Sequence, residues 1–288
     1  MKRSVNEVQT TPFWQRGSVR DTAAIVLLFL LCLLFFWRII TPNEADRGSF
    51  RQGDFYDQFY AFAAFEYEQL SQGRLPLWNP YTFSGHPFLA DIQSAVFYPV
   101  SLLTMLASLL WGFSALALEL EAIAHFFLGG VFTYFLGRRL FASRPAALVA
   151  AVTFAFGGYL TSFPPLQLAV LETVIWLPLI LLFLDMAASR LGAGRRPSGV
   201  VYLLLAGLVM GVAILAGHPQ TAMYVFYVAA LYLLFRAWAV RFAPRHPGPG
   251  QGSGARRRGY AGRGSAGRGY VVVAMACLAL FALVALGL

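Results

Sequence analysis

The chain has 288 residues, 58% of them apolar and only 12% charged, with a formal net charge of +9. Soluble domains carry about 25% charged residues, so this composition excludes a soluble globular protein and defines an integral membrane one. The basic residues are nearly all arginines set between apolar runs, where they orient helices, so the positive charge is not a nucleic-acid signal.

Residues 1–21 carry Lys2, Arg3, Arg16 and Arg20 and are expected to stay cytoplasmic. The first apolar run, 22–40, exceeds the ~7–15-residue core of a cleaved signal. It ends in the bulky stretch FFWRII, so it reads as a retained span of roughly 20 residues. Cys32 within it, and Cys277 far downstream, sit in apolar runs and read as packing or lipid-facing residues.

A polar loop of 53 residues, Thr41 to Gln93, follows and holds seven of the thirteen acidic residues. Phe55 to Ser71 has helical spacing, with Phe55, Phe59, Phe62 and Phe65 along one side and Gly73 as its stop. An aromatic-rich amphipathic helix after a span belongs in the membrane interface. Asp54 would stand at its N-terminal end, where the helix dipole favours an anion, with Asp57 near the same face. The plain reading makes Asp54 a helix cap and Asp57 a dipole partner. The functional one makes them a general base and a holder of an acceptor hydroxyl. Gly73 to Pro99 is a turn-rich loop whose polar candidates are His86, Asp91 and Gln93. His86 also fits a turn before a proline, and Asp91 the cap of the next helix. Arg51 and Arg74 can bind phosphate or pair with nearby acids.

The run 95–111 decides the topology. If it crosses, 18 of the 22 basic residues lie outside; if it lies along the outer surface, 18 lie inside. Cytoplasmic loops are rich in Lys and Arg, so Ser94 to Trp111 is expected to be a non-crossing helix at the outer surface, started by Pro99. Further apolar runs at about 114–136, 145–163, 167–187, 199–216, 219–236 and 270–288 then complete about seven crossings. The expected fold is an all-α polytopic membrane helix bundle, with residues 22–236 as the transmembrane domain and 41–112 as an outer loop carrying juxtamembrane helices. Residues 237–269 form a Pro-, Gly- and Arg-rich cytoplasmic loop with no capacity to bury a core. The chain ends inside the run 270–288, which is expected to be the cut edge of a further span in a longer protein.

This topology sorts the rare polar residues. Glu119, Glu121 and His125 fall in the outer half of their span, Glu172 lies just below the outer turn SFPPLQ, and His218 and Gln220 lie in the outer turn AGHPQT. Asp185 is placed near the inner end beside Arg190. Ionisable groups in a membrane cost roughly 2.5–3.5 kcal/mol on insertion scales and face cavities, so their bias toward the acidic loop predicts one extracytoplasmic site.

The stretches GDFYDQFY, GRLPLWNPYTFSGHPFLADIQSAVFYP and AGHPQTAMY resemble those of the bacterial YfhO-like membrane proteins, over roughly Thr22 to Arg236. That family is grouped with the GT-C-type glycosyltransferases, which carry helices along the membrane between their first two spans. The resemblance implies transfer of a sugar from a polyprenyl phosphate donor to a cell-envelope acceptor, outside the plasma membrane of a bacterial cell. It implies Asp54 as the base, with His218 and Gln220 lining the same cavity. Arg51 or Arg74 would then steady the leaving phosphate. Asp54, Asp57 and Asp91 are hard oxygen ligands suited to a divalent metal, Mg²⁺ or Mn²⁺, and the sequence commits to none. The chain's departures are its Arg-Gly loop and the lack of the family's later spans. Two other readings stand beside the transferase: a transporter or flippase of lipid-linked glycans, and a non-catalytic assembly protein. No P-loop, Rossmann fingerprint, HExxH or GxSxG motif is present.

Overall fold

The computed structural model describes residues 18–242, so the expectations for 1–17, Cys277 and 243–288 lie outside the described residues. The fold is all-helical, and the extended pairing among the described residues is an isolated bridge between Asn79 and His86. In chain order the helices are α1 (Ser18–Phe35), α2 (Trp37–Ile40), α3 (Ala61–Ser71), α4 (Pro99–Trp111), α5 (Ala115–Phe141), α6 (Arg144–Phe156), α7 (Gly158–Ser162), α8 (Leu168–Val174), α9 (Leu177–Gly192), α10 (Arg196–Leu215) and α11 (Pro219–Phe242). A π-helical turn, Phe55–Tyr60, leads into α3, and two 3₁₀ turns, Phe88–Ala90 and Ile92–Ser94, precede α4.

Five described segments are long and apolar enough to cross a membrane: Ala115–Phe141, Arg144–Ser162, Leu168–Gly192, Arg196–Leu215 and Pro219–Ala239. α4 has 13 residues, about 20 Å at 1.5 Å per residue, short of a hydrocarbon core of about 30 Å. Pro99 stands at its start, where its missing N–H costs nothing. Two of the five segments are broken rather than straight. Gly157 separates α6 from α7, and Ile175 and Trp176 separate α8 from α9. The second break follows from Pro178, which has no N–H and whose ring clashes with the carbonyl of Val174, the last residue of α8.

α5 is the central element and packs on α1, α6 and α9, while α9 also packs on α10 and α11. The α5–α6 seam is built from small residues. Ala147, Ala151 and Ala155 recur every fourth residue of α6 and are fully buried. A Cβ on Gly137 would lie 2.9 Å from Ala147 Cα, and one on Gly130 would lie 3.4 Å from Ala155 Cβ. Where lipid is as apolar as leucine, such close backbone approach supplies the packing that joins helices. Phe55 and Phe59 of the π turn join Cys32, Phe36, Phe126 and Leu171 in the main core, and Phe62 and Phe65 join Phe88 and Val96 in a smaller one. The aromatic side of Phe55–Ser71, expected in the membrane interface, is instead buried within the protein, and Cys32 is a packing residue. Gly73 ends α3 with φ +69°, as a helix stop requires.

The two ends of α5 differ in chemistry. At its C-terminal end Asp21 accepts from Tyr134 (2.7 Å), Arg138 (3.2 Å) and Arg144 (2.9 Å). Asp185 there accepts from Arg139 (2.7 Å), Arg236 (2.8 Å) and Tyr232 (2.9 Å). Asp185 thus pairs across helices with α5 and α11. The N-terminal end of α5 meets the acidic loop.

Candidate functional site

Three segments far apart in sequence meet at the acidic-loop end. Gly53 has φ +126°, and a Cβ there would stand 2.9 Å from Leu166 Cδ1. This close approach lays GDFYDQFY against the turn SFPPLQ, and Gln167 Nε2 donates to Asp54 Oδ2. Asp54 occupies the cap position of the π turn, yet its carboxylate makes no capping bond. Its partner comes from the turn between α7 and α8, so the plain reading of Asp54 as a helix cap is replaced. The third segment is AGHPQT. Gly217, with φ +84°, sits so close to the loop that a Cβ would lie 2.5 Å from the Ile92 carbonyl oxygen. Gln93, the next residue, accepts from Gln58 Nε2 at 2.7 Å. Asp54, Gln58, Gln93, Gln167 and the His218 turn therefore share one end of the bundle.

The remaining loop candidates divide. Asp57 and Arg51 are exposed, with no side-chain partner among the described residues. Arg74 is exposed and bonds Gln72, not an acid. His86 and Asp91 form a local structural unit. His86 meets Thr82 Oγ1 at 2.9 Å and Asp91 Oδ2 at 3.5 Å, while its ring lies among Phe62, Phe83 and Phe88. Asp91 accepts the Gln93 N–H at 2.9 Å and caps the short turn Ile92–Ser94, not α4, the helix it was expected to cap. His218 caps α11: its Nδ1 accepts from Thr221 N (3.2 Å) and pairs with Thr221 Oγ1 (2.8 Å). Burial pulls the His218 pKa below its usual value, so the ring is neutral at pH 7. Gln220 is exposed and donates to Tyr224.

Behind the loops lies a buried polar cluster. Glu121 and His125 are one turn apart on α5, and Glu172 faces them from α8. Their ligand atoms lie within 4.8 Å of one another. The His125 Nδ1–H donates to the Glu121 carbonyl oxygen at 2.7 Å, which turns Nε2 toward Tyr98 Oη, also at 2.7 Å. Trp176 Nε1, exposed by the α8–α9 break, donates to Tyr98 Oη at 3.0 Å, and Tyr98 also reaches the Glu172 carbonyl at 3.4 Å. Ser101 of α4 donates to Glu121 Oε1 at 2.6 Å. Glu66 of α3 completes the group. It is 2% exposed, and burial, with the Glu121 charge nearby, pushes its pKa up to about 8. Glu66, Glu121 and Glu172 line a cavity of about 30 Å³ together with Phe59, Gln93 and Ser101. Glu119, two residues before Glu121, turns instead to the loop. It accepts from Phe50 N (3.1 Å) and Tyr56 Oη (2.7 Å), and burial plus this bond raises the Tyr56 pKa to about 12.

The sequence singled out Glu121, His125 and Glu172, and the structure brings them together. Sequence reasoning missed Glu66, Tyr98, Ser101, Gln167 and Trp176. Glu66 carried a signal: it stands four residues after Phe62, on the aromatic face that becomes buried. Tyr98 and Trp176 carried none, because they act through the fold of α4 and the α8–α9 break. No protein-family model, curated protein or solved structure matches this chain.

Proposed function

We propose that this protein is a multi-pass membrane transferase of the GT-C kind, resembling the YfhO-like proteins. In this reading it moves a sugar from a polyprenyl phosphate to a cell-envelope acceptor. The observation that carries it is the meeting of GDFYDQFY, SFPPLQ and AGHPQT at one end of the bundle, with the Asp54 carboxylate aimed by Gln167 instead of spent on a cap. A carboxylate positioned from a second loop can accept a proton from an acceptor hydroxyl. Arg51, exposed beside it, would stabilise the departing phosphate. An apolar groove of about 590 Å³ between α4 and α5, lined by Leu103, Ala107, Trp111 and Leu120 and reaching Glu121, would take the lipid chain.

Topologically, the arginine-rich end, with Arg138, Arg139, Arg144 and Arg236, would face the cytoplasm and the acidic loop would face outward. α4 would lie along the outer surface, giving about seven crossings in a bacterial plasma membrane. The test is Asp54→Asn expressed from the complete gene, with envelope glycans analysed at matched protein level. Loss of one glycan species supports the base. An unchanged glycan profile removes Asp54 from the chemistry.

A second reading has one observation of its own. Glu66, Glu121, His125 and Glu172 place four ionisable side chains in the bundle interior, and such groups also mark ion and substrate paths in transporters. Glycan export that persists in the Asp54→Asn variant but stops in Glu121→Gln would favour it.

A further inference from the structure

The buried cluster has a composition that the transfer chemistry does not use. Three carboxylate oxygens, Glu66 Oε1, Glu121 Oε2 and Glu172 Oε1, are buried without a hydrogen-bond partner. Their residues are 2%, 3% and 3% exposed, and all three line the same small cavity. Unpartnered carboxylates at such depth are costly unless a cation or protons neutralise them. The cavity, about 30 Å³, exceeds the ~10–15 Å³ that a single water needs, so it has room for an ion.

We propose that Glu121, His125 and Glu172, with Glu66 on the cavity wall beside them, form a site for one divalent transition-metal ion, Mn²⁺ or Zn²⁺. The mixed imidazole and carboxylate donors select such metals over Ca²⁺ or Mg²⁺, which prefer oxygen alone. The second layer is already in place. The Glu121 carbonyl fixes the His125 proton on Nδ1 and leaves the Nε2 lone pair to accept from Tyr98 Oη at 2.7 Å. Ser101 Oγ–H holds Glu121 Oε1. These are the outer partners that orient metal ligands. The Tyr98 hydroxyl now donates to His125 Nε2, and it has the Glu172 carbonyl at 3.4 Å as a second acceptor when Nε2 takes a metal. This site is separate from Asp54, Asp57 and Asp91, the oxygen donors of the loop, and it stands or falls apart from the transferase reading.

The test uses the full chain purified in detergent, stripped with EDTA, loaded with Mn²⁺ or Zn²⁺ alone and desalted. Wild type is expected to retain about one equivalent by mass spectrometry of the metal and to melt at a higher temperature when loaded. Glu121→Gln and Glu172→Gln should lose retention, and Ser101→Ala should weaken it roughly tenfold. Glu119→Gln, whose bonds go to Tyr56 and Phe50, should retain the full equivalent. If the carboxyl variants do not fold, the roughly tenfold weakening expected in Ser101→Ala decides. Wild type holding no metal above the stripped control would show that protons neutralise the cluster and would overturn the site. Equal retention in wild type and every folded ligand variant would overturn it as well.

Discussion

Asp54 and His218 show how a residue's partner sets its role. The Asp54 carboxylate gives up the cap its position offers and takes the Gln167 amide from across the site. If the proposed transfer is the activity, Gln167→Leu depresses it while leaving folding intact, the reverse of a packing defect. Envelope glycan yield per molecule of membrane-inserted protein would measure it. His218 does take its cap, and its Nδ1 accepts only while neutral. Its pKa is lowered in the folded state, so its contribution is complete above the ordinary histidine value and is lost as pH falls through the folded one. Hydrogen exchange at Thr221, corrected for intrinsic rate, should accelerate as pH drops below about 6.5 and stay flat in His218→Asn, which keeps a capping oxygen. Among single residues the sequence exposed the charged ones and hid their neutral helpers. Asp54, Glu121, His125 and Glu172 stand out because ionisable groups are rare in apolar runs. Tyr98 and Trp176 look like any interfacial aromatic until the chain folds.

Helix positions were legible to within a few residues because apolar runs between arginines leave little freedom. The interruptions were not. Runs 145–163 and 167–187 read as continuous spans, whereas Gly157 and Pro178 divide them into α6–α7 and α8–α9. Proline inside a membrane helix is tolerated when other groups satisfy the carbonyl it frees, here that of Val174. The π turn of Phe55–Tyr60 was equally invisible, since its aromatic spacing also fits an α-helix. The α5–α6 seam makes a sharper prediction. Gly137→Val would press two methyl groups into the Ala147 backbone, which a Cβ alone already approaches to 2.9 Å. Overpacking of this kind costs about 1–3 kcal/mol, and a lowered thermal midpoint in detergent would register it. Gly211, with nothing within 4 Å of its would-be Cβ, should accept alanine without loss.

Across the whole molecule, charge divides the bundle into an arginine end and an acid-and-amide end. That division was readable from the order of charges along the chain. The depth of the buried cluster was not, because it depends on α3 folding back over the N-terminal end of α5. The orientation is checked by single cysteines in a Cys32→Ala, Cys277→Ser background. Ala45→Cys, exposed in the acidic loop, should react with an impermeant thiol reagent on intact cells, and Ala193→Cys, exposed between α9 and α10, only after permeabilisation. Equal labelling of both in intact cells would invert the topology or abolish it.

The Asp185 bridge has a mechanical corollary. By joining Arg139 of α5 to Arg236 of α11 through α9, it rivets three helices at a single point. A bundle riveted at one rim flexes by splaying at the other, much as tweezers do. Any gape that admits a bulky lipid-borne guest would then open where the amide side chains meet, with the arginine rim as its fulcrum.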